Sequence, residues 1–126
     1  MKIMIVDDNA GMREMIRDIA CRTSDEVVEC SDGGTAVTEF GRFRPDTVLM
    51  DIEMKGMDGF TAAGHITNID PAARIIFVTS HNTSAFRTKA KLLHVTGFVC
   101  KDRLSDLLTL LERTPSSTPS SEEERS

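Results

Sequence analysis

The sequence predicts an α/β domain in which a five-stranded parallel sheet carries helices on both faces. Short all-apolar runs are the first indication, because a strand covered on both faces shows no polar alternation. Stretches of helical periodicity separate those runs and are the second. The connections are short, and regular β-α alternation with short connections makes a parallel sheet.

Residues 3–6, Ile-Met-Ile-Val, form the first strand and stop at Asp7-Asp8. Asn9 is placed to cap a helix in which Met12, Met15, Ile16, Ile19 and Ala20 make one apolar stripe. Glu26–Cys30 is a second, more polar strand and so belongs near an edge. Ser31-Asp-Gly-Gly34 turns the chain into a helix with Ala36, Val37, Phe40 and Phe43 inward. Pro45-Asp46 ends it and launches the third strand, Thr47–Met50.

Asp58 caps a third helix, with Phe60, Ala63 and Ile66 inward, that stops near Asp70-Pro71. A fourth strand spans residues 74–78 and ends in Thr79-Ser80-His81. Thr83 or Ser84 opens a fourth helix with Phe86, Ala90 and Leu93 inward. Gly97–Cys100 is the fifth strand and stops at Lys101. A last helix is expected over residues 104–111, striped by Leu104, Leu107, Leu108 and Leu111. Residues 114–126 contain nothing that could anchor in a core. They are expected to be a disordered tail, or the stub of a linker, beyond a domain of residues 1–113.

A chain of 126 residues is long enough for one domain with a full core. The net charge of −5 argues against a general nucleic-acid surface, which needs a basic patch. Three cysteines, Cys21, Cys30 and Cys100, are an odd number without a CxxC pair, so they read as small core residues in a reducing compartment. Lys2 is followed by only four apolar residues before Asp7, too few for the apolar core of a signal peptide. No apolar run approaches membrane-spanning length. A cytoplasmic location is the expectation.

Open α/β sheets bind ligands at the carboxyl ends of their strands. Here the first strand delivers Asp7 and Asp8, the third Asp51, the fourth Thr79 and Ser80, and the fifth Lys101. Carboxylates gathered this closely repel by roughly 1 to 4 kcal/mol per pair, depending on effective dielectric. Lys101 supplies one compensating charge, and a divalent cation is the natural second. Because the available ligands are oxygens, the ion expected is Mg²⁺, or Mn²⁺ in its place. A carboxylate beside such an ion and a lysine can attack phosphorus and form an aspartyl phosphate. Thr79 can then hydrogen-bond the new phosphoryl group and convert chemistry into a shape change.

Taken together, Asp7-Asp8, Asp51 with Met54 and Met57-Asp58-Gly59, Thr79-Ser80, and Phe98 three residues before Lys101 resemble the response regulator receiver domains of two-component signalling. The resemblance covers residues 1 to about 113. It implies a doubly wound, flavodoxin-like sheet of strand order 2-1-3-4-5. It also implies Asp51 as phosphoacceptor, Asp8 as direct metal ligand, Asp7 acting through water, and the backbone carbonyl of Glu53 completing the set. Thr79 matches the switch hydroxyl, Lys101 the phosphate-pairing lysine, and Phe98 the switch aromatic. Such domains take phosphate from a sensor histidine kinase or a histidine phosphotransfer protein. They then repack the face of helix four, strand five and helix five.

Two departures stand out. Lys55 occupies a place usually held by proline, and Asp102 follows Lys101 where proline is common. The Lys101-Asp102 step is similar to that of receivers attached to helix-turn-helix DNA-binding domains, yet these residues contain no such domain. Direct nucleic-acid or membrane binding is therefore not expected. The output stays open between a protein target, a relay, a homodimer formed on phosphorylation and an effector domain outside these residues.

The competing function is an aspartyl-phosphate hydrolase of the haloacid dehalogenase type. Such enzymes place Asp-x-Asp on the first strand, whereas Asp51 lies on the third and is followed by Ile52-Glu53. A flavin or dinucleotide binder lacks support, because no glycine-rich phosphate loop follows the first strand. His81 and the Glu53 side chain read as exposed groups near the mouth of the site. His65 and His94 read as surface or boundary residues, and Arg87, Lys89 and Lys91 as a solvated helix face.

Overall fold

Two largely apolar strands, β1 (Lys2–Val6) and β3 (Thr47–Met50), lie side by side at the middle of the sheet. The computed structural model describes residues 1–113, so the expected tail at 114–126 lies outside the described residues. Around the central pair the chain adds β2 (Glu26–Cys30), β4 (Ile75–Thr79) and β5 (Gly97–Cys100) in the order β2-β1-β3-β4-β5. Every pairing is parallel. The polar second strand is an edge strand, as its composition implies.

The crossovers are α1 (Ala10–Ala20), α2 (Gly33–Phe43), α3 (Gly59–Ile69) and α4 (Ser84–Leu92), with α5 (Asp106–Leu110) closing the chain. Strand side chains alternate between two cores. Met4, Val6, Val48, Met50, Ile75 and Phe77 face a core completed by α2, α3 and α4. Ile3, Ile5, Leu49, Ile76, Val78 and Val99 face one completed by α1 and α5. No helix among the described residues is long and apolar enough to cross a membrane.

Four helices start on the caps that the sequence offers. The side chains of Asn9, Asp32, Asp58 and Thr83 accept the backbone N–H of Met12, Thr35, Thr61 and Phe86. Each such bond satisfies an otherwise orphan donor and is typically worth about 1 kcal/mol.

Several expectations need correction. Met15 and Ile19 are 49% and 37% exposed, so the buried stripe of α1 narrows to Ile16 and Ala20, with Met12 half-buried. A single helix laid on a sheet covers less than the periodicity allows. The fourth strand begins and ends one residue later than predicted, because Thr79 still pairs with Cys100. Lys101–Arg103 forms a 3-10 turn and α5 starts only at Asp106, without a side-chain cap. Leu104, Leu107 and Leu111 are buried while Leu108 is half-buried, so leucine spacing suggested a longer helix than the capless backbone makes. Of the cysteines only Cys30 is a core residue; Cys21 and Cys100 are half-buried free thiols.

At the amino-terminal end of the sheet, Arg113 closes the domain. Its guanidinium grips the Asp25 carboxylate with both terminal nitrogens and also donates to the Ala20 carbonyl at 3.0 Å. Both side chains are almost fully buried. The guanidinium beside it holds the Asp25 carboxyl well below the usual carboxylate range.

At the other end, the loop after β3 folds tightly back. The Gly59 N–H donates to the Ile52 carbonyl at 2.7 Å, and a Cβ at Gly59 would stand 2.2 Å from the Asp51 carbonyl oxygen. Only glycine allows α3 to start so close to the strand end. Gly59→Ala is therefore expected to destabilise the domain by about 2–3 kcal/mol, within the range for overpacking a tight site. A lowered urea midpoint at unchanged slope would register it.

Candidate functional site

The acids sit where strand pairing runs out. The Asp7 N–H donates to the Cys30 carbonyl at 3.1 Å and the Asp51 N–H to the Val6 carbonyl at 2.9 Å. Both backbones are thus still held by the sheet while the side chains project past its edge. Asp7 is completely buried and Asp51 only 5% exposed, whereas Asp8 faces solvent. One oxygen from each of Asp7, Asp8 and Asp51 can lie within 4.8 Å of the others.

Lys101 joins them from the 3-10 turn that follows β5. Its ammonium stands 2.9 Å from Asp7 Oδ2 and donates to Asp51 Oδ2 at 3.2 Å. The other Asp51 oxygen accepts the Ile52 N–H at 2.8 Å, and Asp7 Oδ1 accepts the Asn9 N–H at 2.9 Å. Asp7 Oδ2 has its ion-pair neighbour but no hydrogen bond of good geometry. A buried oxygen in that condition is costly unless a further positive partner meets it.

The electrostatics agree with a shortage of positive charge. Burial pushes the Asp51 pKa above the ordinary aspartate value and Asp7 adds to the rise, against the opposing pull of Lys101. Burial works against the Lys101 ammonium, but the Asp7 and Asp51 carboxylates outweigh it and hold the lysine pKa above its usual value. Three carboxylates face a single ammonium among these residues. The donors are all oxygen, and the exposed Asp8 leaves a side open to water. That combination fits a hard divalent ion that keeps part of its hydration, as Mg²⁺ does.

The other expected residues have partners of their own. Thr79 is fully buried as the last residue of β4, and its Oγ1 accepts the His81 N–H at 3.1 Å. Phe98 is half-buried opposite Phe77, with the Arg87 guanidinium 4.6 Å from the ring centroid. Glu53 is exposed, and its carboxylate meets His81 Nδ1 at 2.9 Å. Both side chains are about half exposed, as the sequence suggested, but they meet across the loops after β3 and β4. Lys55 is exposed on the first of those loops.

Sequence reasoning missed Arg13. From α1 it donates to the Asp7 carbonyl at 2.6 Å and to Glu29 Oε1 at 2.9 Å, tying the acid loop to edge strand β2. A basic residue early in a helix that follows two acids was the available signal. Its partner on another strand was not visible.

A doubly wound sheet with a lysine-bridged acid cluster at its carboxyl edge defines a class of phosphate-handling signalling domains. Within that class, residues 3–112 match the family described as response regulator receiver domain. The chain belongs to this family. It is 40% identical over 106 residues to chemotaxis protein CheY of Bacillus subtilis, covering 83% of this chain and 88% of that protein. Its identity to chemotaxis protein CheY of Thermotoga maritima is 37% over 101 residues, covering 79% and 84%. Among solved structures, a LuxR-family two-component response regulator from Aurantimonas superposes with a TM-score of 0.79 at 36% identity, covering 98% of this chain and 96% of that one. Membership makes the chain a two-component signalling module, not a conventional enzyme. Receiver domains bind Mg²⁺ at an acidic pocket, and Asp7, Asp8 and Asp51 form an acidic cluster here.

The raised Asp51 pKa has a consequence for stability. A carboxyl with a raised folded pKa contributes fully below its unfolded pKa, and that contribution is lost as pH rises through the folded value. Without divalent cations, Asp51→Asn should therefore raise the urea midpoint near pH 7. The gap from the parent chain should narrow as the pH is lowered and Asp51 takes up its proton. A gap that stays constant with pH would assign the effect to packing and not to charge.

Proposed function

We propose that this chain is the phosphoacceptor module of a two-component phosphorelay, with Asp51 as the residue that accepts the phosphoryl group. The observation that carries this reading is the placement of Lys101 against both Asp7 and Asp51, at 2.9 Å and 3.2 Å, beside a buried oxygen without a hydrogen bond. Asp8, Asp7, Asp51 and the backbone carbonyl of Glu53 would hold Mg²⁺, with Mn²⁺ able to substitute. The ion supplies charge stabilisation to the phosphoryl oxygens when bound.

The donor is a phosphohistidine on a sensor kinase or a phosphotransfer protein. An Asp51 oxygen attacks phosphorus, the phosphorus–nitrogen bond breaks, and the electron pair leaves on the imidazole. Lys101 pairs with the transferred group. Thr79 swings to it, giving up the N–H of His81, and Phe98 follows into the space behind. The face of α4, β5 and α5 then presents a changed surface to a protein target. Residues 1–113 constitute the receiver domain in this reading, and 114–126 a tail or linker.

Incubation with labelled acetyl phosphate and Mg²⁺ tests the acceptor. The parent chain should take up a single equivalent, and Asp51→Asn none. Normal labelling of that variant would mean a different acceptor, and repeated turnover of a phosphate ester would favour the hydrolase. Lys101→Ala should keep the fold and accept phosphate poorly. Its amide NMR shifts on the α4 face should not respond to whatever phosphate it does take up. A full phosphorylation-dependent response in that variant would remove the lysine from the switch.

A further inference from the structure

One built feature beside the acids is used only at its acidic end by the reading above. A cleft of about 650 Å³ opens between the loop after β3 and the start of α4. Asp8 and Glu53 line one end, so it is continuous with the acid cluster. Its far wall is aromatic. Phe60 and Phe86 meet edge to face at 5.3 Å, and Phe60 meets the buried Phe77 in the same way at 5.3 Å. The wall is therefore anchored in the core and does not depend on a ligand for its shape. Two lysines border the cleft: Lys55 lines it, and Lys89 Nζ lies 4.8 Å from the Phe60 ring centroid.

A volume of this size falls in the range of small-molecule sites, which pair an apolar wall with a few placed polar groups. The charge arrangement identifies the ligand more closely. Near Asp8 and Glu53 the environment is acidic and suits a metal-bound phosphoryl group. Near Lys55 and Lys89 it is cationic, beside two ring faces. We propose that this cleft receives the leaving group of a small-molecule phosphodonor, and that the donor class it selects is the aromatic acyl phosphates.

The proposal rests on the phosphoacceptor reading of Asp51. In the transfer, an Asp51 oxygen bonds to phosphorus and the phosphorus–oxygen bond to the acyl group breaks. The electron pair leaves on the acyl oxygen, giving a free carboxylate, and no proton has to move. The departing group lies opposite the attacking oxygen, on the solvent side of Asp51, where Asp8 and Glu53 lead into the cleft. Lys55 and Lys89 complement the carboxylate charge as it develops. The aryl ring packs on Phe86, the more exposed of the two rings. Lys55 thus gains a role at the place where related domains usually carry proline.

The experiment uses the full chain with Mg²⁺ and compares initial labelling from acetyl phosphate and benzoyl phosphate over a concentration series. Benzoyl phosphate should half-saturate at a concentration about five- to tenfold lower, the scale of one aromatic pairing. Phe86→Ala should abolish that advantage, so that benzoyl phosphate half-saturates at the concentration acetyl phosphate needs in the same variant. Ala85→Trp, an exposed substitution at the lip that fills the cleft without emptying the core, should do the same. Benzylphosphonate, which cannot transfer its phosphorus, should shift the amide resonances of Phe86 and Lys89 in the parent chain and not in Ala85→Trp. Equal half-saturation by the two donors would overturn the proposal, as would a benzoyl advantage that survives both substitutions. Failure to label with either donor would overturn the phosphoacceptor reading instead, and the benzylphosphonate titration would still decide whether the cleft takes an aromatic ligand.

Discussion

Lys101 carries one positive charge into the angle between Asp7 and Asp51, and the carboxyl ends of β1, β3 and β5 depend on that contact. Without it, two buried carboxylates would face each other with a third close by, and at least one would have to be neutral. The lysine reaches them because β5 stops at Cys100 and turns at once into the 3-10 segment. Its stem is mostly buried, so the ammonium has little freedom to leave. One cation still falls short of neutralising three acids, and that deficit makes the edge of the sheet receptive to a further cation.

Much of this could be read from residue order because the strands β1, β3 and β4 are covered on both faces. An all-apolar run that ends in a carboxylate leaves few alternatives. Asp7, Asp8, Asp51 and Lys101 could be placed together because parallel strands bring their carboxyl ends to one edge. Side-chain partnerships across elements were not legible. Arg13 finds Glu29 and the Asp7 carbonyl only once α1 lies against β2. Glu53 and His81 meet only because the two loops that carry them are neighbours. The start of α5 was misplaced for a different reason. Leucine spacing records which side of the chain is buried, and Leu104 is buried in a turn just as it would be in a helix.

The loop between β3 and α3 combines two demands. Asp58 must cap the helix, and Gly59 must pass within contact of the Asp51 backbone. Together they press the loop against the strand end, so Ile52 is buried while Glu53 and Lys55 stay in water. The exposed residues are free to vary in charge without disturbing the acids beneath them. The aromatic group of Phe60, Phe77 and Phe86 extends the same division toward α4, with a rigid floor under a charged and adjustable rim.

The clamp between Arg113 and Asp25 has a mechanical meaning. It fastens the end of the described chain beside the starts of β1 and β2, while the acids sit at the strands' other ends. A five-residue strand spans about 17 Å, so the anchor and the acids are separated by roughly the height of the sheet. Residue 113 itself is thus held at the pole remote from the acids. The two ends do not touch, so a change at the acids reaches that pole only through the body of the domain.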